Sequence, residues 1–211
     1  MLDWEIEKKY YSEGAGLICG CDEAGRGPLA GPVFAAAVIL PVGLVIEGLD
    51  DSKRIKPEKR EELYKVIREN ALDFAVAHAE VYEIEAINIL NASMLAMRRA
   101  IAGLRKTPDL ALIDGNIVRD FNIRAVPVVK GDARSPSIAA ASILAKVERD
   151  RFCEEMDKFY PGYNFTKNKG YATKQHKAAI LKNGPAPVHR RSFLRKTLGD
   201  AIEQFDIWQS W

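Results

Sequence analysis

The sequence predicts an α/β protein built as one domain, and three observations support this fold class. Short apolar runs of strand length alternate with longer segments whose apolar residues recur at helical spacing. The 211 residues, 47% of them hydrophobic, are enough to bury one core of ordinary domain size. Acidic residues follow several strand-like runs, where α/β sheets commonly carry their sites.

Two strands, a helix and a third strand are predicted first. Leu17–Cys21 is a short apolar run that stops at two acidic residues. Val33–Leu40 is rich in Ala and Val without alternation, which is typical of a strand buried on both faces. Pro57–Asn70 begins with proline at the first helical position and indicates a helix. Leu72–Val81 alternates imperfectly and is predicted to be a strand.

A helix, two short strands and a second long helix are predicted next. Glu83–Leu104 carries one apolar stripe, which predicts a single helix. Leu110–Ile113 and Ala125–Val129 are short apolar runs and are predicted to be strands. Ser135 followed by Pro136 gives an N-cap and a first helical residue, and this second helix is predicted to reach Tyr160.

The last part, from about residue 160 to 211, is predicted to be a basic loop and a helical C-terminal part of the same domain. It is rich in Gly, Pro and Lys, and one helix is expected from about Thr173 to Asn183. The window from Phe165 to Gly199 contains nine Lys and Arg and no acid, although the whole chain has a net charge of only +2. Such a window indicates a polyanion partner, with a solvated surface as the alternative.

Composition excludes several classes of protein. The three cysteines, Cys19, Cys21 and Cys153, fit neither a disulfide framework nor a zinc site and favour a reducing cytosol. The N-terminal segment mixes acids and bases and does not look like a signal peptide. The longest mostly apolar stretch, Val33–Ile46, is shorter than the roughly 20 residues that a membrane helix needs. We therefore expect a cytoplasmic protein with no membrane association.

Four carboxylates are the candidate functional groups. Asp22 and Glu23 follow the first strand, and Asp114 and Asp132 follow two later ones. If they meet, they repel one another unless a cation intervenes, and Mg²⁺ or Mn²⁺ prefers such oxygen ligands. The alternative for each single Asp is a turn or cap residue. Asp50-Asp51 is a similar pair, which we interpret as solvated.

The segment after the first acids, Gly25 to Pro32, is rich in Gly and Pro. Its spacing does not fit a dinucleotide fingerprint, but Gly25 and Gly27 around Arg26 would let the backbone approach a ligand closely. A tight turn between two strands is the alternative.

The three histidines carry little functional signal in the sequence. His78 is interpreted as structural, while His176 and His189 lie too far apart to form a local motif. No nucleophile elbow is present, so covalent acyl-transfer chemistry is not expected.

The motifs of the chain closely resemble those of ribonuclease HII, the type 2 ribonucleases H. The segment GCDEAGRGPLAGPV at residues 20–33 is similar to the family signature. Further blocks follow in the family's order: DSK at 51–53, IDGN at 113–116, KGD at 130–132, SIAAASILAKV at 137–147 and GYAT at 170–173. The match covers roughly residues 14 to 195, with Ala172 standing where many relatives have Gly.

The resemblance implies an RNase H-like fold, with a mixed five-stranded sheet flanked by helices and a small helical C-terminal part. It implies an endonuclease that cuts the RNA strand of RNA–DNA hybrids and nicks 5′ to single ribonucleotides embedded in duplex DNA. The products would be 3′-hydroxyl and 5′-phosphate ends, formed by two-metal-ion hydrolysis with Mg²⁺ or Mn²⁺. Roles in ribonucleotide excision repair and DNA replication would follow.

The resemblance also assigns site residues. Asp22, Glu23, Asp114 and Asp132 would be the catalytic, metal-binding carboxylates. The substrate would meet Gly25, Arg26 and Gly27 at the ribonucleotide 2′-hydroxyl, Tyr171 at the deoxyribose on the 3′ side, and Lys53 and Lys146 at phosphates. For Lys146, a solvated helix surface is the alternative.

The sister family, ribonuclease HIII, shares the acids but typically carries an extra N-terminal substrate-binding domain. Only about 13 residues precede the match here, which together with Gly25–Gly27 and Tyr171 favours ribonuclease HII. The rival readings are a DNA-cutting resolvase or transposase-type nuclease and a non-catalytic nucleic-acid-binding module. We expect a monomer, with Trp208 and Trp211 docking on the protein's own body.

Overall fold

The structure, a computed structural model, describes residues 2–52, 54–203 and 205. Lys53, Trp208 and Trp211, which the sequence analysis singled out, lie outside these residues. The described part contains no helix that is both long and apolar enough to cross a bilayer.

A mixed five-stranded sheet forms the centre of the molecule, as the resemblance implied. Its strands are β1 Ile18–Ala24, β2 Val33–Ile39, β3 Asp73–Ala79, β4 Leu110–Asp114 and β5 Arg124–Val128. They are ordered β3-β2-β1-β4-β5. The β1–β2 and β2–β3 pairs are antiparallel, and the β1–β4 and β4–β5 pairs are parallel.

Seven helices accompany the sheet in the described residues. They are α1 Glu5–Ser12, α2 Pro57–Asn70, α3 Val81–Ala102, α4 Pro136–Phe159, α5 Phe165–Asn168, α6 Lys174–Asn183 and α7 Arg191–Leu198. Two 3-10 turns, Gly131–Ala133 and Gly199–Ile202, complete the described elements. Sequence patterns predicted α2, α3, α4 and α6, whereas α1, α5 and α7 had no predicted bounds.

The interior strand β2 is buried along its whole length, which confirms the prediction from its Ala- and Val-rich sequence. One face packs with α2 and α4, where Ala36 and Val38 lie among the alanines of α4. The other face packs with α3, where Ala35 and Ala37 contact the cluster that includes Met97. Helices therefore cover both sides of the sheet, as burial on both faces requires.

The predicted single helix at Glu83–Leu104 is interrupted. Asn88 has φ 66° and ψ 164°, so α3 consists of two helical parts that meet at a kink. The Asn88 side chain accepts hydrogen bonds from the backbone N–H groups of Leu90 and Asn91 and so caps the second part. Apolar periodicity continues across the kink, which is why the pattern alone predicted one helix.

Helix α4 begins as the sequence predicted. Pro136 is in its first turn, and the Ser135 hydroxyl accepts a hydrogen bond from the backbone N–H of Ile138 at 3.2 Å. Near this end α4 passes directly against β1 at Gly20. A Cβ placed on Gly20 would lie 2.1 Å from the carbonyl carbon of Ser137, so only glycine fits.

The C-terminal helices pack on the far end of α4 and on the loop between β1 and β2. A separate apolar cluster joins Leu29 and Ala30 of that loop to Cys153 and Met156 of α4 and to Phe165. The part of the chain beyond residue 160 thus rests against the segment that follows Asp22-Glu23.

We predict that Gly20→Ala lowers the free energy of unfolding by about 3 kcal/mol, since the added methyl collides with backbone rather than with a flexible side chain. The midpoint of urea unfolding is the measurement. In the control Gly16→Ala the nearest atom to the new Cβ is the side-chain Oδ2 of Asp109 at 3.1 Å, which can move. An equal loss in both variants would contradict the close packing at Gly20.

Candidate active site

Three of the four predicted carboxylates meet at the edge of the sheet where β1 and β4 run side by side. Asp22 lies in β1, Asp114 is the last residue of β4, and Asp132 lies in the 3-10 turn after β5. One carboxylate oxygen from each lies within 4.8 Å of the others. Asp114 also accepts a hydrogen bond from the backbone N–H of Gly131 at 2.7 Å, which ties the end of β4 to the turn that carries Asp132.

The cluster is electrostatically unfavourable on its own. Asp22 is 3% exposed, and burial raises the pKa of its carboxyl well above the usual range, with further upward shifts from the charges of Glu23 and Asp114. Hydrogen bonds from the Ser142 hydroxyl and the Glu23 backbone N–H oppose that increase in the pKa. A cation among these groups would relieve both the burial and the repulsion.

The donor set fits a hard divalent cation. Asp22, Asp114 and Asp132 offer carboxylate oxygens from three separate chain segments, and Mg²⁺ and Mn²⁺ prefer oxygen ligands of this kind. Two of the three carboxylates are buried, so their positions are fixed by the fold before any ion binds.

Glu23, the fourth predicted ligand, stands outside this group. It follows Asp22 within β1, and successive side chains of a strand point to opposite sides. Its Oε1 lies 3.3 Å from Nη1 of Arg26. Because Glu23 lies inside β1 beside Asp22 rather than after the strand, its carboxylate is not among the three that converge, although its charge still raises the pKa of Asp22.

A cleft of about 330 Å³ lies beside the carboxylates. Its lining residues come from four parts of the chain: Glu23, Ala24, Gly25, Arg26 and Gly27; Ser52; Ser142, Lys146 and Arg149; and Tyr171. The structure therefore brings the Gly-Arg-Gly loop, Lys146 and Tyr171 into one concave site, although they are far apart in the sequence.

Glycine is required at Gly25 for two reasons. Its φ of +105° belongs to the left-handed region, and a Cβ there would lie 2.2 Å from Nε of Arg149. Gly27 faces the ring of Tyr171, which would lie 3.6 Å from a Cβ on Gly27, and that ring remains 45% exposed. The loop and the tyrosine thus form facing sides of the cleft.

Lys146 is not a solvated surface residue, which was the alternative reading of its helix position. Its side chain is 20% exposed and forms an ion pair with Asp150 one turn along α4. Burial lowers the pKa of Lys146, and the Asp150 carboxylate opposes that change.

Asp50, interpreted from the sequence as solvated, is partly buried and accepts a hydrogen bond from the Asp51 backbone N–H.

Not all basic side chains of the window Phe165–Gly199 lie at the surface. Arg190 is fully buried, and burial lowers the pKa of its guanidinium to about 9. Its donors reach the carbonyls of Gly25 at 2.6 Å and Arg26 at 2.9 Å. The prediction that this window faces phosphate is therefore wrong for Arg190, which supports the Gly-Arg-Gly loop from behind. The exposed basic residues of the window are Lys167, Lys174, Lys182, Arg195 and Lys196.

Sequence reasoning missed two residues of α4 that line the cleft. The Ser142 hydroxyl pairs with that of Ser52 at 2.8 Å and also reaches Asp22. Arg149 is 2% exposed; its Nη2 donates to the carbonyl of Lys169, and its guanidinium carbon lies 5.8 Å from the Tyr171 ring centroid. Its place on the apolar side of α4, four residues after Ala145 and four before Cys153, was the available signal.

Two comparisons of the sequence with known proteins give the same family. The family model described as Ribonuclease HII matches residues 19–196. A ribonuclease HII from Caldanaerobacter subterraneus subsp. tengcongensis is 52% identical over 192 residues, which is 91% of this chain and 80% of that protein.

Solved structures show the same fold. The ribonuclease H2 of Pyrococcus horikoshii OT3 aligns with a TM-score of 0.71 and 25% identity over 89% of this chain and 98% of that one. The RNase HII in a complex with PCNA from Archaeoglobus fulgidus aligns with a TM-score of 0.67 and 28% identity over 83% and 94%. Because the family match spans most of the sequence and the relatives share about half of their residues with it, this chain belongs to the ribonuclease HII family and is a ribonuclease H, a hydrolase acting on phosphodiester bonds.

Proposed function

We propose that this ribonuclease H cuts the RNA strand of RNA–DNA hybrids internally and also nicks 5′ to a single ribonucleotide embedded in duplex DNA. The family acts on RNA–DNA hybrids and depends on divalent metal ions. One observation carries the finer proposal: the carboxylate cluster adjoins a cleft whose opposite sides are a Gly-Arg-Gly loop and an exposed tyrosine. Cuts of this kind would begin the removal of ribonucleotides from DNA.

The carboxylates are proposed to bind the metal ions. Asp22, Asp114 and Asp132 would hold Mg²⁺ or Mn²⁺ between them, and Glu23 would contribute from the mouth of the cleft once its pairing with Arg26 is exchanged. When bound, two such ions supply activation of a water for in-line attack on phosphorus and stabilisation of the departing 3′-oxygen. The chain's own part is to keep these carboxylates close together and partly dry before substrate arrives.

The cleft is proposed to recognise the ribonucleotide. A 2′-hydroxyl distinguishes RNA from DNA, and it can be reached by backbone groups only where no side chain intervenes. Gly25 and Gly27 meet that condition, while the Arg26 side chain is half exposed and free to approach a phosphate after leaving Glu23. Tyr171 would stack on the deoxyribose on the 3′ side of the cut.

The phosphate backbone of the substrate is proposed to contact lysine and arginine side chains around the cleft. Lys146 lines it directly, and Lys53 follows Ser52, another lining residue, in the sequence. The exposed lysines and arginines of the window Phe165–Gly199 would bind more distant phosphates, which predicts weaker binding at higher salt. In this arrangement the part of the chain from about residue 160 onward would serve the same catalytic domain as the sheet.

The decisive assay is nicking of a DNA duplex that carries one ribonucleotide, with and without Mg²⁺ or Mn²⁺. We expect a single cut on the 5′ side of the ribonucleotide that leaves a 3′-hydroxyl and a 5′-phosphate, only when metal is present. The all-DNA duplex of the same sequence should stay intact. Equal cutting of both duplexes, or cutting in the presence of a chelator, would overturn the proposal.

Asp22→Asn is expected to lower the nicking rate by a factor on the order of 10³, since it removes a metal ligand whose contribution is about 4 kcal/mol. In chelator the variant should unfold at a higher urea concentration than the wild type, because it removes a carboxyl whose pKa is raised by burial and by the charges of Glu23 and Asp114. The control is Asp120→Asn, an exposed residue with φ 58°, which should change neither quantity. Retained nicking in Asp22→Asn would show that the metal site is elsewhere.

Tyr171→Ala is expected to reduce kcat/KM on the single embedded ribonucleotide about tenfold more than on a long RNA–DNA hybrid, because stacking at one junction is worth about 1.4 kcal/mol and a hybrid offers many sites. Cleavage kinetics on the two substrates give this ratio. Tyr82→Ala, which removes another exposed aromatic ring on α3, is the matched control. Equal losses on both substrates would remove the junction-sensing role from Tyr171.

A further inference from the structure

The geometry points to His176 and His189 as positioning residues that hold Tyr171 against the Gly-Arg-Gly loop. This inference rests on the proposed function, since it assigns support for the substrate-reading side of that site. The two histidines are buried, at 0% and 2% exposure, and their Nε2 atoms lie 3.1 Å apart. They lie behind the cleft, away from the carboxylates, and nothing in the proposed chemistry uses them directly.

The proton on each ring can be deduced from its neighbours. Nδ1 of His176 lies 2.8 Å from the carbonyl oxygen of Tyr171, which can only accept, so Nδ1 carries the proton. In a neutral ring Nε2 of His176 is then an acceptor. It follows that Nε2 of His189 carries the proton that joins the two rings.

The hydrogen bond between Ala186 and His189, at the far end from Tyr171, indicates the same tautomer of His189. The backbone N–H of Ala186 points at Nδ1 of His189 at 2.9 Å, so this nitrogen must accept. The Ala186 carbonyl also lies 3.1 Å from Nδ1, but a proton on Nδ1 of a neutral His189 would leave the Ala186 N–H without its acceptor and the two Nε2 atoms without a hydrogen between them. Nδ1 of His189 is therefore unprotonated and Nε2 protonated, which is the tautomer deduced from Tyr171.

Both rings must be neutral for this chain to exist. A second proton on His176 would bring two N–H groups face to face at 3.1 Å, and a second proton on His189 would set its Nδ1–H against the Ala186 N–H at 2.9 Å. Burial lowers the pKa of His189 to about 3 and lowers that of His176, so neither ring is charged at neutral pH. The result is a continuous line of three hydrogen bonds from Ala186 to the carbonyl of Tyr171.

The same segment is fixed to the loop on the opposite side of the cleft. The Arg190 N–H donates to the carbonyl of Leu29 at 2.7 Å, and Gly31 N–H donates to the carbonyl of Val188 at 2.8 Å. The Leu29 N–H in turn donates to the carbonyl of Gly170 at 2.8 Å. The neighbours of His189 therefore pair with the loop through the backbone, while its ring is linked through His176 to Tyr171.

These contacts distinguish positioning from general packing. An apolar side chain could fill the space of either imidazole, and burying two polar rings costs free energy unless all their bonds are made. The bonds here end on the backbone of the residue whose ring faces Gly27. The structure thus fixes where Tyr171 stands relative to the loop that would read the 2′-hydroxyl.

Two substitutions at His189 test the hydrogen bonds of its two ring nitrogens one at a time. His189→Gln places an amide N–H near the position of Nε2 and keeps the link to His176, but gives up the Ala186 contact. His189→Asn places an acceptor near Nδ1 and keeps the Ala186 contact, but loses the link toward Tyr171. Each variant gives up one hydrogen bond, so their unfolding midpoints should be alike and serve as the control for structural damage.

The readout is kcat/KM on a duplex with one ribonucleotide divided by kcat/KM on a long hybrid. We expect His189→Asn to lower this ratio about fivefold, as one lost neutral hydrogen bond would, and His189→Gln to stay within about twofold of the wild type. In Tyr171→Ala the His189→Asn change should lower the ratio no further. Equal ratios in the Asn and Gln variants, or additive losses with Tyr171→Ala, would overturn the positioning role.

A second measurement does not depend on activity. In ¹⁵N spectra of the wild-type side chains, His189 should show an unprotonated Nδ1 and a protonated Nε2, and His176 the reverse. The opposite tautomers or a charged ring at neutral pH would refute the inference. Failure of wild-type nicking with these tautomers observed would refute the proposed function instead.

Discussion

The close approach of α4 to β1 at Gly20 is the contact on which the rest of the site depends. Because no side chain separates them, the first turns of the helix lie directly on the strand that carries Asp22. Ser142 then reaches the Asp22 carboxylate, and Ile138 packs on Gly131 next to Asp132. Further along the same helix, Arg149 lies under Gly25 and beside the Tyr171 ring. A single rigid element thus positions both the carboxylates and the cleft.

Asp22 and Arg190 carry opposite charges, and each is buried at a cost in stability. Asp22 is held with like charges nearby, and Arg190 is held without exposure to solvent. Each is tolerated because its surroundings supply hydrogen bonds: the Glu23 N–H and Ser142 for Asp22, and loop carbonyls for Arg190. The charges of the acidic cluster and of the basic C-terminal part therefore largely cancel, and the small net charge of the chain reveals neither of them.

The sequence was sufficient for features that depend on local pattern. The burial of β2 and the capped start of α4 followed from composition and spacing, whereas strand ends made Asp22, Asp114 and Asp132 only candidates to meet and the family resemblance grouped them. Features that depend on side-chain direction or distant contacts could not be predicted. Glu23 is not among the converging carboxylates although it follows Asp22 in the same strand. Arg190 turns inward because loop carbonyls converge on it, and His176 meets His189 only because the chain folds back between α6 and α7.

The pairing of Val188 and Arg190 with the loop at Leu29–Gly31 gives the site an order of assembly. The residues that bear the carboxylates are all made within the first two-thirds of synthesis, and the sheet they belong to is complete by Val128. The loop at Leu29–Gly31 gains these backbone partners only when residues 188–190 leave the ribosome. A nascent chain can therefore bring the three carboxylates together before the wall of the cleft that contains the Gly-Arg-Gly loop is complete.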